Sequence, residues 1–190
     1  MKVLITGAKG QLGRGLIATA PSTVDLHPVT RDDCDLADAS AIAALIQQVA
    51  PDLVINAAAY TAVDRAEEEE ALATIINADA PAAMARACAA QAIPFVHIST
   101  DYVFDGAGEA PFSPDAPVAP LGAYGRSKLA GERGVTEAGG VYAVLRTSWV
   151  FSAHGTNFLK TMLRLGAERD ELRIVADQIG GPTPAGAIAE

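Results

Sequence analysis

Tyr124 and Lys128 stand four residues apart in "AYGRSK" (123–128), behind a Pro-Leu-Gly turn and at the start of a stretch with helical periodicity. A helix advances 3.6 residues per turn, so the phenol and the amine share one face, one turn apart. A free tyrosine hydroxyl titrates near ~10 and on its own neither gives nor takes a proton readily at neutral pH. A neighbouring ammonium lowers an acid's pKa by about 1 to 3 units, and the pair then becomes a workable donor to an alkoxide or acceptor from an alcohol. Thr100 closes the apolar run "FVHIS" at the edge this helix face would look toward. Its hydroxyl could donate to a carbonyl oxygen that gathers negative charge. Taken alone, Tyr-x-x-x-Lys equally fits an ordinary amphipathic helix.

A second constellation gives the three groups a context. "TGAKGQLG" (6–13) follows the first apolar run and opens the first helix, with glycines at Gly7, Gly10 and Gly13. One glycine permits a tight turn, another lets the backbone approach a pyrophosphate, and the third lets helix and strand pack closely, while the helix N-terminus supplies N–H groups and partial positive charge. The spacing differs from GxGxxG and lacks the GK[ST] of a P-loop, which disfavours ATP hydrolysis. Beyond the second strand the tip reads "TRDDCDL". Arg31 there suits the 2′-phosphate of NADPH, and Asp32 and Asp33 suit the free ribose hydroxyl of NADH. NADPH is the expected cofactor and NADH the alternative.

The elements that must position these groups follow from the alternation of short apolar runs with alanine-rich amphipathic stretches. That pattern predicts an α/β fold, a doubly wound parallel sheet of Rossmann type, whose ligands lie beyond the carboxyl ends of the strands. Strands are expected at 2–6, 24–30, 53–56, 95–99, 142–148 and 172–175, and helices near 11–20, 39–49, 66–91, 122–138 and 157–168. Residues 1–176 are expected to form the dinucleotide-binding domain. Residues 177–190 are expected to begin a smaller C-terminal substrate domain that is largely absent. "DGAGEAPFSPDAPVAP" (105–120) reads as a surface excursion, either a lid or a connector. "AEEEEA" (66–71) reads as the solvated face of a helix, and His97 as a core residue of its strand.

Composition narrows the classes. Half the residues are hydrophobic and only 5% aromatic, which points to an aliphatic layered core. The net charge of -9 disfavours nucleic acid as a ligand. Cys34 and Cys88 suggest neither a disulfide framework nor a zinc site, and His27 and His154 have no metal-ligand spacing. A glycine at position 7 comes too early for a signal peptide, and no apolar run approaches the ~18 residues of a membrane span. The cytoplasm is the expected compartment.

With "TGAKGQLG", "CDLAD", "INAAAYTAVDRAEEE", "HISTDYVFDG", "YGRSKLAGE", "LRTSWVFSAHGTNF" and "DQIGGPT" on one chain, the sequence resembles the dTDP-4-dehydrorhamnose reductase family of the extended short-chain dehydrogenase/reductases. The resemblance implies that Thr100, Tyr124 and Lys128 form the active centre, with Tyr124 and Lys128 also touching the cofactor. It further implies that Gly10, Gln11 and Leu12 lie on the pyrophosphate, Asp35 and Leu36 near the adenine, and Ala59, Tyr60 and Thr61 along the cofactor's middle. Thr100, Asp101 and Trp149 would face a sugar nucleotide. The residues themselves show no metal site, and a homodimer is possible. Two other uses of the same cleft stay open at this stage: a non-catalytic nucleotide-binding subunit, and an epimerase or dehydratase that retains its cofactor.

The role of Arg31 is open to direct measurement. Arg31→Ala is expected to erode a preference for NADPH over NADH in a comparison of the two Michaelis constants. An unchanged preference removes Arg31 from cofactor selection.

Overall fold

The computed structural model describes residues 1–190. Its central sheet has five parallel strands: β1 (Lys2–Thr6), β2 (Asp25–Val29), β3 (Leu53–Asn56), β4 (Phe95–Thr100) and β5 (Tyr142–Thr147). Their spatial order is β2-β1-β3-β4-β5. The chain winds outward from β1 to β2, returns past β1 to β3, and continues to β4 and β5. The direction therefore reverses between β1 and β3, and at that reversal the carboxyl ends of the strands leave a crevice. A separate parallel pair joins β6 (Val150–Phe151) to β7 (Thr183–Pro184). The helices are α1 (Gln11–Thr19), α2 (Ala39–Val49), α3 (Glu70–Thr74), α4 (Ala80–Ala90), α5 (Ala123–Ala138), α6 (Phe158–Glu168) and α7 (Ala185–Ala189).

The core forms because the strands are apolar and the helices present one apolar stripe to them. Leu4, Val54 and Phe95 of the sheet meet Ile42 and Ile46 of α2 and Met84 and Cys88 of α4 in one buried cluster. Each such aliphatic or aromatic side chain contributes roughly 1.5–3 kcal/mol on burial. Asp38 starts α2 by accepting from the backbone N–H of Ser40 at 2.9 Å and of Ala41 at 3.1 Å.

Three expectations change. The single helix expected over 66–91 is instead a 3-10 turn at Asp64–Glu67, the short α3, a π-helical turn at Ile75–Asp79, and then α4. Pro81 explains the break, since it has no N–H to offer the carbonyl four residues earlier, on Asn77. The acidic run is not simply a solvated face. Glu67 accepts from the N–H of Ala123 at 2.7 Å and so caps α5, whose own N-cap, Gly122, has no side chain. Glu69 accepts from the Tyr60 hydroxyl at 2.5 Å, and Glu70 takes two guanidinium bonds from Arg126 at 2.8 and 3.1 Å. The broken helix turns these carboxylates toward α5 and the 57–63 loop, where a continuous helix would have shown them to water.

Residues 172–175 are not a strand. The run pairs with no strand and leaves β5 as the open edge of the sheet, and Ile174 and Val175 are 51% and 65% exposed. The excursion 105–120 is held down rather than free. Ala116 and Val118 pack on Val103, Phe104 and Leu129, and Phe112 stacks on Phe104 with centroids 4.4 Å apart. Near the C-terminus, α7 lies on α1 so closely that a Cβ at Gly15 would stand 3.2 Å from the Ala185 carbonyl oxygen.

The carbonyl that Pro81 leaves free meets α5 at Gly131, where an added Cβ would lie 2.1 Å from the Asn77 oxygen. Gly131→Ala is expected to lower stability by about 1–3 kcal/mol in denaturant titration, because backbone atoms must separate. Gly166→Ala, on α6 with nothing within 4 Å of the new methyl, is the matched control and is expected to gain about 0.5–1 kcal/mol.

Candidate active site

The crevice at the chain reversal is a cleft of about 1090 Å³, large enough for a dinucleotide. Gly7 sits at its floor with φ +73°, where a Cβ would collide with the Ala58 nitrogen at 2.7 Å. Gly7, Gly10, Gln11 and Leu12 all line the cleft. No side chain caps α1 and no acidic residue lies in its first turn, so its N-terminal N–H groups and partial charge face the cavity. Gly13 lies outside the lining. A Cβ there would sit 2.3 Å from the Gly7 oxygen, which makes it the glycine that lets helix and turn meet.

Arg31, Asp35 and Leu36 line the end of the cleft beyond β2. The neighbouring carboxylates are already engaged. Asp32 pairs with Lys9 at 2.5 Å, and Asp33 accepts from the backbone N–H and the hydroxyl of Thr30, both at 2.8 Å. Those bonds to Thr30 hold Asp33 below the usual carboxylate range. Arg31 makes no ion pair, so its guanidinium is the uncommitted charge at this tip. Ala59 and Thr61 line the middle, whereas Tyr60 turns its hydroxyl to Glu69 and its backbone to Asn77.

At the far end Thr100, Asp101, Tyr124, Lys128 and Trp149 share the cleft wall. Thr100 is the last residue of β4, and its hydroxyl donates to Asp101 at 3.0 Å. Tyr124 packs edge-on against Tyr102 with centroids 5.5 Å apart. Burial pushes the Tyr124 phenol up to about 12, the adjacent Thr100 hydroxyl pulling the other way. Lys128 is only 2% exposed, and its amine donates to the Ile98 carbonyl at 2.6 Å. Burial lowers it to about 8, opposed by Glu132. The expected lowering of the phenol by the ammonium is therefore not the arrangement found. The amine faces the backbone of β4, and loss of water dominates at the phenol.

Trp149 has φ +46°, an uncommon conformation for a large residue and one that clusters at functional sites. Its indole meets Phe158 edge-on at 5.1 Å and lies against Gly180, where a Cβ would stand 2.4 Å from the ring nitrogen. No residue of 105–120 lines the cleft, so the excursion is not a lid over it.

Sequence reasoning missed three sets of polar residues that brace these groups. Thr6, Asn56 and His97 stand at one level of β1, β3 and β4 and are hydrogen-bonded in a row that ends on Lys128. Glu132 of α5 binds Ser99 at 2.5 Å and Arg146 at 2.6 Å, and Arg146 also donates to Pro114, tying the excursion down. Gln11 accepts from Ser152 at 3.1 Å and from Asn157 at 2.9 Å, which fastens the 150–157 segment to the glycine turn. The first set left a trace in the sequence, a polar residue closing or interrupting an apolar strand. Only the parallel register shows that the three are neighbours.

The family model described as RmlD substrate binding domain matches residues 1–190. A dTDP-4-dehydrorhamnose reductase from Burkholderia thailandensis is 48% identical across 100% of this chain and 64% of its own length. One from Escherichia coli K12 is 42% identical across 100% of this chain and 65% of its own. The chain thus spans just under two thirds of these relatives. Among solved structures, a dTDP-4-dehydrorhamnose reductase from Clostridium acetobutylicum superposes with TM-score 0.96 at 42% identity, covering 100% of this chain and 68% of that one. The Bacillus anthracis reductase, solved in complex with NADP, superposes with TM-score 0.95 at 41% identity, covering 99% and 67%. Matched from end to end, the chain belongs to the RmlD substrate binding domain family, within the fold of the dTDP-4-dehydrorhamnose reductases.

Proposed function

We propose that this chain carries the cofactor and catalytic centre for NADPH-dependent reduction of the C4 carbonyl of dTDP-4-dehydro-6-deoxy-L-mannose to dTDP-L-rhamnose. The observation that supports it most is the meeting of the Thr100 and Tyr124 hydroxyls, with Lys128 one turn away, in a cleft whose other end is the glycine turn. The NADP held by the Bacillus anthracis relative and the free guanidinium of Arg31 favour NADPH, with NADH the weaker alternative.

When bound, NADPH supplies a hydride to the carbonyl carbon. Thr100 donates a hydrogen bond to the carbonyl oxygen as the π pair moves onto it. Tyr124 then gives its proton to that oxygen and is left as phenolate until solvent restores it. A phenol near 12 keeps its proton throughout the neutral range, and an alkoxide is more basic still, so this direction of transfer is downhill. Lys128 would hold the nicotinamide ribose. Asp101 and the Trp149 indole line the sugar end, where burial keeps the Asp101 carboxyl above its usual range. In this reading residues 1–176 are the dinucleotide-binding domain. Residues 177–190 begin the substrate side, since β7 pairs with β6 directly after Trp149. The protein works in the cytoplasm on a small sugar nucleotide, without nucleic acid, and Tyr142, Leu145 and Leu163 offer exposed apolar surface for a second copy.

Tyr124→Phe is expected to cut turnover by about 10²–10⁴-fold while the dissociation constant for NADPH, read by fluorescence, stays the same. Retained turnover would remove Tyr124 from the proton step. The wild type is expected to consume one NADPH per product. Turnover sustained by a catalytic trace of cofactor would instead identify an epimerase or dehydratase.

A further inference from the structure

His97 has no exposure and sits in the middle of a strand, yet both of its ring nitrogens have polar partners. Asn56 and Thr6, at the same level of the two neighbouring strands, are 1% and 3% exposed. Such a row is costly to bury unless every donor meets an acceptor.

The directions of its bonds follow from one amide. The Thr6 hydroxyl donates to Asn56 Oδ1 at 2.6 Å, and the backbone N–H of Ala58 donates to the same oxygen at 3.1 Å. Two donors on that atom identify it as the oxygen, so the other end of the amide, Nδ2, faces His97 Nδ1 at 3.1 Å. Nδ2 can only donate. Nδ1 must therefore accept, and a neutral ring carries its proton on Nε2. Burial holds the ring well below its ordinary pKa and so neutral. Nε2 in turn lies 3.4 Å from Lys128 Nζ, and Nζ donates to the Ile98 carbonyl at 2.6 Å. A ring N–H can be received by an amine with a lone pair but not by an ammonium.

We propose that Asn56, acting through His97, is a positioning residue for Lys128: it locks the imidazole as the Nε2–H tautomer, so the bond chain from Thr6 to Ile98 closes only on an uncharged lysine amine. Four donors then meet four acceptors in a single direction. When Lys128 takes up a proton, two donors face one another at His97 and that link is lost. The row thus favours the form of the lysine that can accept a proton inside the cleft.

The other groups around Lys128 do not reproduce this effect. Glu132, one turn along α5, favours the charged amine and is itself paired with Arg146 of β5 at 2.6 Å. Tyr124 on the same helix keeps its proton. Glu70 on α3 is occupied by Arg126, Asp79 and Arg86 are exposed, and the π-helical turn brings the neutral amide of Asn77, bound to Ser127.

The inference rests on Lys128 being a working residue of the proposed reductase, but its test needs neither substrate nor cofactor. Nitrogen-15 spectra of histidine-labelled wild-type protein are expected to place the His97 proton on Nε2. A proton on Nδ1 overturns the proposal without any substitution being made. The Lys128 amine is then titrated by labelled-lysine spectra, assigned with Lys128→Met. In the wild type it is expected to lose its proton as pH rises through about 8. Asn56→Asp puts an acceptor against Nδ1, turns the Nε2 lone pair toward Lys128, and is expected to raise the amine's proton affinity by about tenfold or more. Thr6→Val disturbs the same row but leaves Nδ2 facing the ring, and is expected to change the titration little. An Asn56→Asp titration that does not move, or a Thr6→Val titration that moves as far, overturns the proposal. Loss of reductase activity in Tyr124→Phe bears on the proposed reaction and not on this result.

Discussion

The burial of Lys128 against the end of β4 is the contact around which the rest of this structure is arranged. An amine taken out of water must be bonded, and the bonds come from the sheet: the Ile98 carbonyl directly, and the Thr6, Asn56 and His97 row at one remove. That arrangement demands an unusually close approach of α5. Gly125, Gly131 and Gly134 make it possible, because a Cβ at these positions would meet the Tyr102 oxygen, the Asn77 oxygen and the Ala82 methyl at 2.3, 2.1 and 2.6 Å. Tyr124 is carried on the same helix, so the depth of Lys128 also sets where the phenol lies.

The irregular segments between β3 and α5 serve that placement. Pro81 prevents one continuous helix, and the resulting π-helical turn frees both the Asn77 carbonyl, which α5 contacts, and the Asn77 side chain, which binds Tyr60 at 2.8 and 3.0 Å. The acidic residues just before it then reach the start of α5. Glu67 satisfies a backbone N–H that Gly122 cannot, and Glu70 fixes Arg126 on the outer face. These surface bonds are individually weak, on the order of 0–1 kcal/mol for exposed ion pairs. Their consequence is geometric, since they set the angle at which a half-buried tyrosine enters the cleft.

The charge states fit reduction better than oxidation. A phenol near 12 is always loaded with its proton, and the lysine near 8 lies close enough to neutrality to exchange one. Both values arise chiefly from burial and not from the attraction of phenolate for ammonium, so the burial of each group, not a charge pair, tunes this end of the site.

Much of this was legible in the chain itself. Short apolar runs and helical periodicity located five strands and most helices, because parallel strands covered on both faces must be apolar throughout. Three glycines after a strand marked the turn that floors the cleft, and a tyrosine and lysine one turn apart marked the face of α5 that lines it. The sixth strand failed because hydrophobicity says that a run can pair, and only the fold says whether a neighbour is there. The acidic run was misread for a similar reason, as Glu67 and Glu70 each find a partner 56 residues away in sequence once Pro81 has bent the helix. Sequence alone determined which residue types face the crevice, since backbone periodicity is local. Tertiary structure alone decided what they do to one another, since the Thr6, Asn56, His97 and Lys128 bonds cross separate elements and exist only in the assembled register.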